Sequence, residues 1–164
     1  MCRLFLNRRA NRHTMNPIAV LRTEDLAVEF STQDAPVRAV QRVSIEVHAG
    51  ETVALVGESG SGKSVTCLSV MGLLPETGRV SEGRIEFKGK DILAMESDAR
   101  RRLRGAAMSM VFQEPMTSLN PVFRIGLQIA EAVEVQTGIG RKEAMHRAKD
   151  LLDLVRIPEA SRRL

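Results

Sequence analysis

The octapeptide Gly57-Glu58-Ser59-Gly60-Ser61-Gly62-Lys63-Ser64 gathers the residue types that hold a polyphosphate. Glycines turn tightly and let successive N–H groups point at anionic oxygens with no Cβ in the way. The lysine supplies a compact positive charge for the β- and γ-phosphates. The serine hydroxyl after it is suited to ligate a Mg2+ ion that bridges the same oxygens. Val65 and Thr66 continue the site into the next turn, with Thr66 expected toward the α-phosphate. The chemistry implied is binding of a nucleoside triphosphate, ATP foremost, with Mg2+ as cofactor. A flexible Gly/Ser turn would spell the same pattern, so the flanking elements have to decide.

A phosphate loop needs a strand before it and a helix after it. Residues 52–56 are a short apolar run following Ala49-Gly50, which reads as a fully buried strand. Residues 63–74 read as a largely buried apolar helix closed by Pro75, its positive N-terminal end facing the anion. Upstream, alternation through Leu26, Val28 and Phe30 makes residues 20–31 a strand. A turn at Gln33-Asp34-Ala35-Pro36 leads to a second strand over 37–47. Downstream come a Gly-punctuated strand pair or edge strand around 84–87 and a charged helix from Ser97 to about Arg104. Residues 107–112 read as another buried strand. After Pro121 the period becomes helical over 125–135 and 142–155, with Ala144, Ala148, Leu151, Leu152 and Val155 on one face.

The class is therefore α/β, of the P-loop nucleoside triphosphatase (NTPase) kind. Residues 1–19 are expected to be a disordered basic front segment, with Met15 an alternative start. Residues 20–121 form an ATP-binding α/β core, and residues 122–164 begin a helical subdomain.

Composition narrows the partners. The 164 residues are 43% hydrophobic and 27% charged, as in an ordinary globular domain. The net charge of +4 owes much to Arg3, Arg8, Arg9, Arg12, Arg162 and Arg163 at the two ends. Aromatic residues make up only 3%, without Tyr or Trp, which leaves little to stack bases, so no nucleic-acid partner is expected. Cys2 and Cys67 have no metal-ligand spacing, and a reducing cytoplasm suits them. No apolar run reaches the roughly 18 residues of a membrane-spanning helix.

A second string separates the kinds of P-loop protein. Met110-Val111-Phe112-Gln113-Glu114-Pro115-Met116-Thr117-Ser118-Leu119-Asn120-Pro121 resembles the glutamine loop of ATP-binding-cassette (ABC) ATPases, in the form found in bacterial peptide importers. Val56 to Ser64 and Arg156-Ile157-Pro158-Glu159-Ala160 are similar to the same dipeptide, oligopeptide and glutathione importer group. The resemblance runs from about residue 20 to the last residue. It implies an ABC-type nucleotide-binding domain ending within its helical subdomain.

The resemblance also implies roles. Gln113 would sense the γ-phosphate through Mg2+ and the attacking water, a catalytic and metal-contacting part; the plain alternative is a loop residue at a strand end. Phe30 would stack on the adenine, or else serve as a core phenylalanine. Residues 113–123, between Pro115 and Pro121, would face a transmembrane permease subunit, or else be an exposed loop. The family pairs two ATPase domains around two ATP molecules. Its ATPase subunits are cytoplasmic, peripheral on the inner membrane through the permease.

The family also uses an apolar strand ending in Asp-Glu, an LSGGQ-like signature and a switch histidine. Leu151-Leu152-Asp153 lies in a helical pattern, Thr137-Gly138-Ile139-Gly140 is a turn, and His13, His48 and His146 fall elsewhere. Two functions stay open: the ATP-binding part of an importer ATPase, or a non-catalytic nucleotide-binding fragment. A P-loop kinase or GTPase would carry acceptor or base-specific motifs, and none is visible.

Overall fold

The alternating front half folds into antiparallel strands. The computed structural model describes residues 19–113 and 118–162, with only the backbone of Ser161. The basic front segment, with Cys2, His13 and Met15, lies outside the described residues, as do Glu114, Pro115, Met116 and Thr117. Two compact units divide the chain, the first ending at Leu103 and the second beginning at Arg104.

In the first unit, β1 (Ala19–Phe30), β2 (Val37–His48), β3 (Gly78–Phe87) and β4 (Lys90–Asp91) form an antiparallel sheet in the order β2-β1-β3-β4. Leu26, Val28, Ile45, Ile85 and Ile92 are buried, each contributing about 1.5–3 kcal/mol. Three irregularities fall side by side, at Asp25 (φ 46), Arg42 (φ 49) and Gly83 (φ 91). Register shifts after Thr23 and Glu24 mark the extra residues of bulges there. Thr23 pins the break: its hydroxyl donates to the Val43 carbonyl (3.2 Å) and accepts from the Ile45 N–H (3.0 Å). Across the exposed ladder, Arg38 pairs with Glu29 at 3.0 Å and Glu82 at 2.9 Å.

Helix α1 (Lys63–Met71) contacts β1 and β2. It ends before the expected Pro75, because Gly72 takes φ 62 and reverses the chain. The Leu73 N–H then reaches the Leu68 carbonyl, and the Gly72 N–H reaches that of Ser69. This is the paired-bond stop that a left-handed glycine permits. Only Thr66 and Ser69 of this helix are fully buried, so it is less buried than its apolar content suggested. Helix α2 (Ser97–Ala106) is charged, and its backbone leaves helical values at Arg104 and Gly105.

Two expected buried strands are not formed. Residues 52–56 make no ladder; Thr52, Ala54 and Val56 are exposed, while Val53 and Leu55 are half-buried. Residues 107–112 have only a local bridge from Met108 to Arg104, and Val111 is 95% exposed. A central strand draws its hydrogen bonds from neighbours on both sides. Among the described residues no strand pairs with either run, and apolar content alone does not bury a segment.

In the second unit, α3 (Ile125–Thr137) and α4 (Arg141–Leu154) form a helical hairpin. Its core is Ala130, Ala144 and Ala148, flanked by Ile129, Val133, Ile139 and Met145. The buried stripe of α4 is Ala144, Ala148 and Leu152, at four-residue steps. Leu151 and Val155 were expected on that face, but both are exposed. Each sits one position off the stripe, about 100° around the helix. A 3-10 turn (Ala160–Arg162) follows.

Candidate phosphate-binding site

The loop before α1 is shaped by two glycines with different constraints. Gly60 takes φ 79 and Gly62 takes φ 87, both left-handed. Gly60 lies in a turn closed by the Ser61 N–H on the Glu58 carbonyl (3.2 Å), and a Cβ there would meet open space. Gly62 is confined: a Cβ would stand 2.7 Å from the Ala39 carbonyl oxygen and 3.3 Å from Val40 Cγ2. The loop is therefore pressed against the backbone of β2 at the residue that opens α1.

That helix start is left bare. Gly62 is its N-cap and provides no side-chain cap, and no acidic residue lies in the first turn. The first N–H groups of a helix have no partner within it, and the aligned peptide dipoles leave partial positive charge there. An unacidic, uncapped N-terminus keeps that charge available to an anion.

Lys63 adds a full charge at the same place. Its Nζ donates to the carbonyl oxygens of Gly57 and Glu58, each at 2.7 Å, and to Ser61 Oγ at 3.2 Å. Three acceptors match the three donors of an ammonium group. The lysine is folded back over its own loop, held within the ring of residues that would surround a phosphate. Sequence reasoning assigned the loop its N–H groups and missed the acceptor role of these two carbonyls. Backbone oxygens leave no mark in a residue pattern.

The other expected residues fall as follows. Gly57, Glu58, Ser59 and Ser64 are exposed, and Ser61 and Val65 are half-buried. Thr66 is buried, and its hydroxyl donates to the Gly62 carbonyl at 2.9 Å, as its N–H does at 2.8 Å. It acts within the helix rather than opening onto the loop surface. Phe30 ends β1, half-buried, paired with Val37 and Gly78. Its ring covers Gly78, where an added Cβ would lie 2.8 Å from ring atom Cε1. Gln113 lies in the second unit, exposed, just after the exposed Val111 and Phe112.

The donors fit the groups the motif implies. A glycine-cleared cradle, a bare helix N-terminus and an ammonium suit a polyphosphate. The Ser64 hydroxyl is a hard oxygen donor of the kind Mg2+ accepts alongside phosphate and water. Among the described residues no cluster of three or more His, Cys, Asp or Glu forms a metal cage. None of their helices is long and apolar enough to cross a membrane.

Known proteins are similar to this chain in sequence and in fold. The sequence profile of the family described as ABC transporter matches residues 40–164. The dipeptide transport ATP-binding protein DppD of Escherichia coli is 47% identical over 147 residues, covering 90% of this chain and 45% of that protein. The oligopeptide transport ATP-binding protein OppD of Mycobacterium tuberculosis is 49% identical over 150 residues, covering 91% of this chain and 24% of that one. The chain thus spans less than half the length of these curated relatives. Among solved structures, a dimeric ATP-binding cassette in a post-hydrolysis state with ADP and Pi superposes with a TM-score of 0.71 at 19% identity. That match covers 85% of this chain and 58% of the other, and it shows the shared ATP-binding-cassette fold.

Proposed function

This chain belongs to the ABC transporter family, and on that premise we propose that residues 57–66 hold ATP in the ATPase subunit of a peptide importer. The observation that carries this reading is the Gly62 contact with Ala39, which fixes the loop so that Lys63 and the bare start of α1 face one place. The names of the dipeptide and oligopeptide relatives support the substrate class transported.

Each residue has a part. Gly57, Gly60 and Gly62, with Glu58, Ser59 and Ser61 between them, present backbone N–H groups to the phosphates. Lys63 exchanges its loop acceptors for phosphate oxygens, so the ammonium gains a charged partner without entering an apolar region. Val65 and Thr66 hold the first turn of α1 behind the cradle. Ser64 and Gln113 would hold Mg2+, which when bound neutralises phosphate charge. Gln113 also orients the attacking water with its amide. Phe30 offers its ring to the adenine, with little preference among bases because it has no polar handle. The partners are transmembrane permease subunits and a second ATPase domain, with residues 113–123 facing the permease from the cytoplasmic side of the inner membrane.

The test is nucleotide binding by Lys63→Ala. Losing a charge-assisted contact costs about 1.5–3 kcal/mol, so Mg-ATP affinity should fall at least about tenfold. Calorimetric titration reads it, with circular dichroism to establish that the variant is folded. Equal affinity in a folded Lys63→Ala chain would mean that the loop does not hold the phosphates.

A further inference from the structure

Phe30 closes β1 opposite Gly78, the first residue of β3, and the two are Cα partners in the antiparallel ladder. A Cβ added at Gly78 would stand 2.8 Å from Cε1 of the ring, 3.2 Å from Cδ1 and 3.3 Å from Cζ. Cε1 is nearest, and both atoms bonded to it follow at nearly equal distances. That is the pattern of a carbon above the ring face. A carbon approaching in the ring plane would be markedly farther from those two neighbours. The Phe30 ring therefore lies face-down over the hydrogen that any other residue would replace with a Cβ.

The backbone does not call for a glycine there. Gly78 is outside the left-handed region that Gly60 and Gly62 occupy. A glycine in a strand weakens it and often marks a close approach by another group. Here that group is the ring. Both sides of the contact are tied by main-chain bonds: the Ser31 N–H, next to Phe30, donates to the Thr77 carbonyl, and the Gly78 N–H donates to that of Pro75, each at 2.8 Å. The atoms that a methyl group would meet belong to a side-chain tip. Alanine would therefore turn the ring and leave the strand in place.

We propose that Gly78 is a positioning residue for nucleotide binding, because it makes the strand a floor on which the Phe30 ring lies flat. This inference rests on the adenine role of Phe30 given above. An aromatic ring has two faces, and stacking needs one of them held at a defined tilt. With one face laid on Gly78, the other is left for the base. A side chain at residue 78 would tilt the ring and spoil the stack without touching the nucleotide.

The first arm of the test needs no nucleotide. A proton above an aromatic face is shielded, so one Gly78 Hα signal of the full chain should lie well upfield of the ordinary glycine range in NMR spectra. It should return to that range in Phe30→Leu, which keeps an apolar cover and has no ring current. Two ordinary Hα signals in the parent overturn the face-on placement.

The second arm compares Mg-ATP with Mg-tripolyphosphate, which has no base, by calorimetric titration. Gly78→Ala should weaken ATP binding at least about fivefold and leave tripolyphosphate binding at the parent value. Adding Gly78→Ala to Phe30→Ala should cost nothing further, because the ring through which Gly78 acts is gone. This double variant also serves where Gly78→Ala alone folds poorly, since it has no ring to displace. Parent-like ATP affinity in a folded Gly78→Ala chain, beside a weakened Phe30→Ala, overturns the role of Gly78 and leaves the adenine reading standing. Equal loss of both ligands in Gly78→Ala, or a further loss in the double variant, overturns it as well, since either reports a general loosening. Parent-like ATP affinity in Phe30→Ala overturns the adenine reading and the positioning role with it.

Discussion

Gly62 and Ala39 meet so closely that a single added carbon on Gly62 would lie 2.7 Å from the Ala39 carbonyl oxygen. The neighbour is backbone in a paired strand, so it cannot swing aside as a side-chain tip would. Gly62 also sits at φ 87, in the region where L-residues are strained. Gly60 shares the conformation at φ 79 without the crowding.

This pair predicts a graded result. Gly60→Ala should cost only the left-handed conformational term, about 1 kcal/mol. Gly62→Ala should cost that and a backbone displacement, about 2–4 kcal/mol in all, and should weaken Mg-ATP binding further by moving Lys63. Denaturant melts of both variants check the order. Equal destabilisation would mean that the contact with β2 is not what holds the loop.

Phe30 and Gly78 allow stacking to be separated from packing. If the ring stacks on adenine, Phe30→Ala should lose about 1–3 kcal/mol of nucleotide affinity. Phe30→Trp should retain it, and ATP and GTP should be affected alike. A ring that serves only to cover Gly78 predicts a lower melting point in Phe30→Ala with nucleotide affinity intact. Parallel titration and melting of the two variants distinguish these outcomes.

How much of this was legible in the sequence depended on whether the cause was local. The loop and the start of α1 could be read because glycine, lysine and serine act there through their own backbone and side chains. β1 and β2 could be read because alternation through Leu26 and Val28 reports a face that one sheet buries. Residues 52–56 and 107–112 were misread because strand formation needs partners that a short apolar run does not specify. Leu151 and Val155 were misread because the packing stripe of α4 is set by the small residues Ala144 and Ala148 facing α3. The side-chain hydrogen bonds of Gln128 to the backbone of Asn120 and Phe123 left no signal, since a glutamine on a helix is ordinary until the loop before it folds back.

Glu29 predicts a pH dependence. The Arg38 guanidinium, hydrogen-bonded at 3.0 Å, holds its carboxyl below the usual glutamate value, against a smaller opposing effect of burial. Arg79 adds to the lowering. A carboxyl whose folded pKa is depressed stabilises fully above its unfolded pKa. That stability is lost as pH falls through the folded value. The parent should therefore lose stability on acidification below the ordinary glutamate range more steeply than Glu29→Gln does. Melting midpoints followed from neutral pH into that range test this, and parallel curves would remove Glu29 from the acid response.

Arg156 gives the remaining prediction. The chain leaves α4 there with φ 59, and the Ile157 N–H bonds to the Leu152 carbonyl at 3.0 Å while the Arg156 N–H bonds to that of Asp153 at 2.9 Å. This is the same pair of bonds that closes α1, where Gly72 occupies the left-handed position. An arginine pays a steric cost at that position which glycine avoids, whereas glycine loses more freedom on folding. The steric term is the larger at a left-handed helix stop, so Arg156→Gly should stabilise the α3–α4 hairpin by about 0.5–1 kcal/mol. Arg156→Ala serves as the control, because it removes the charge and keeps the Cβ. A gain in melting temperature with glycine alone assigns the effect to the backbone, while equal gains in both variants would assign it to the arginine side chain.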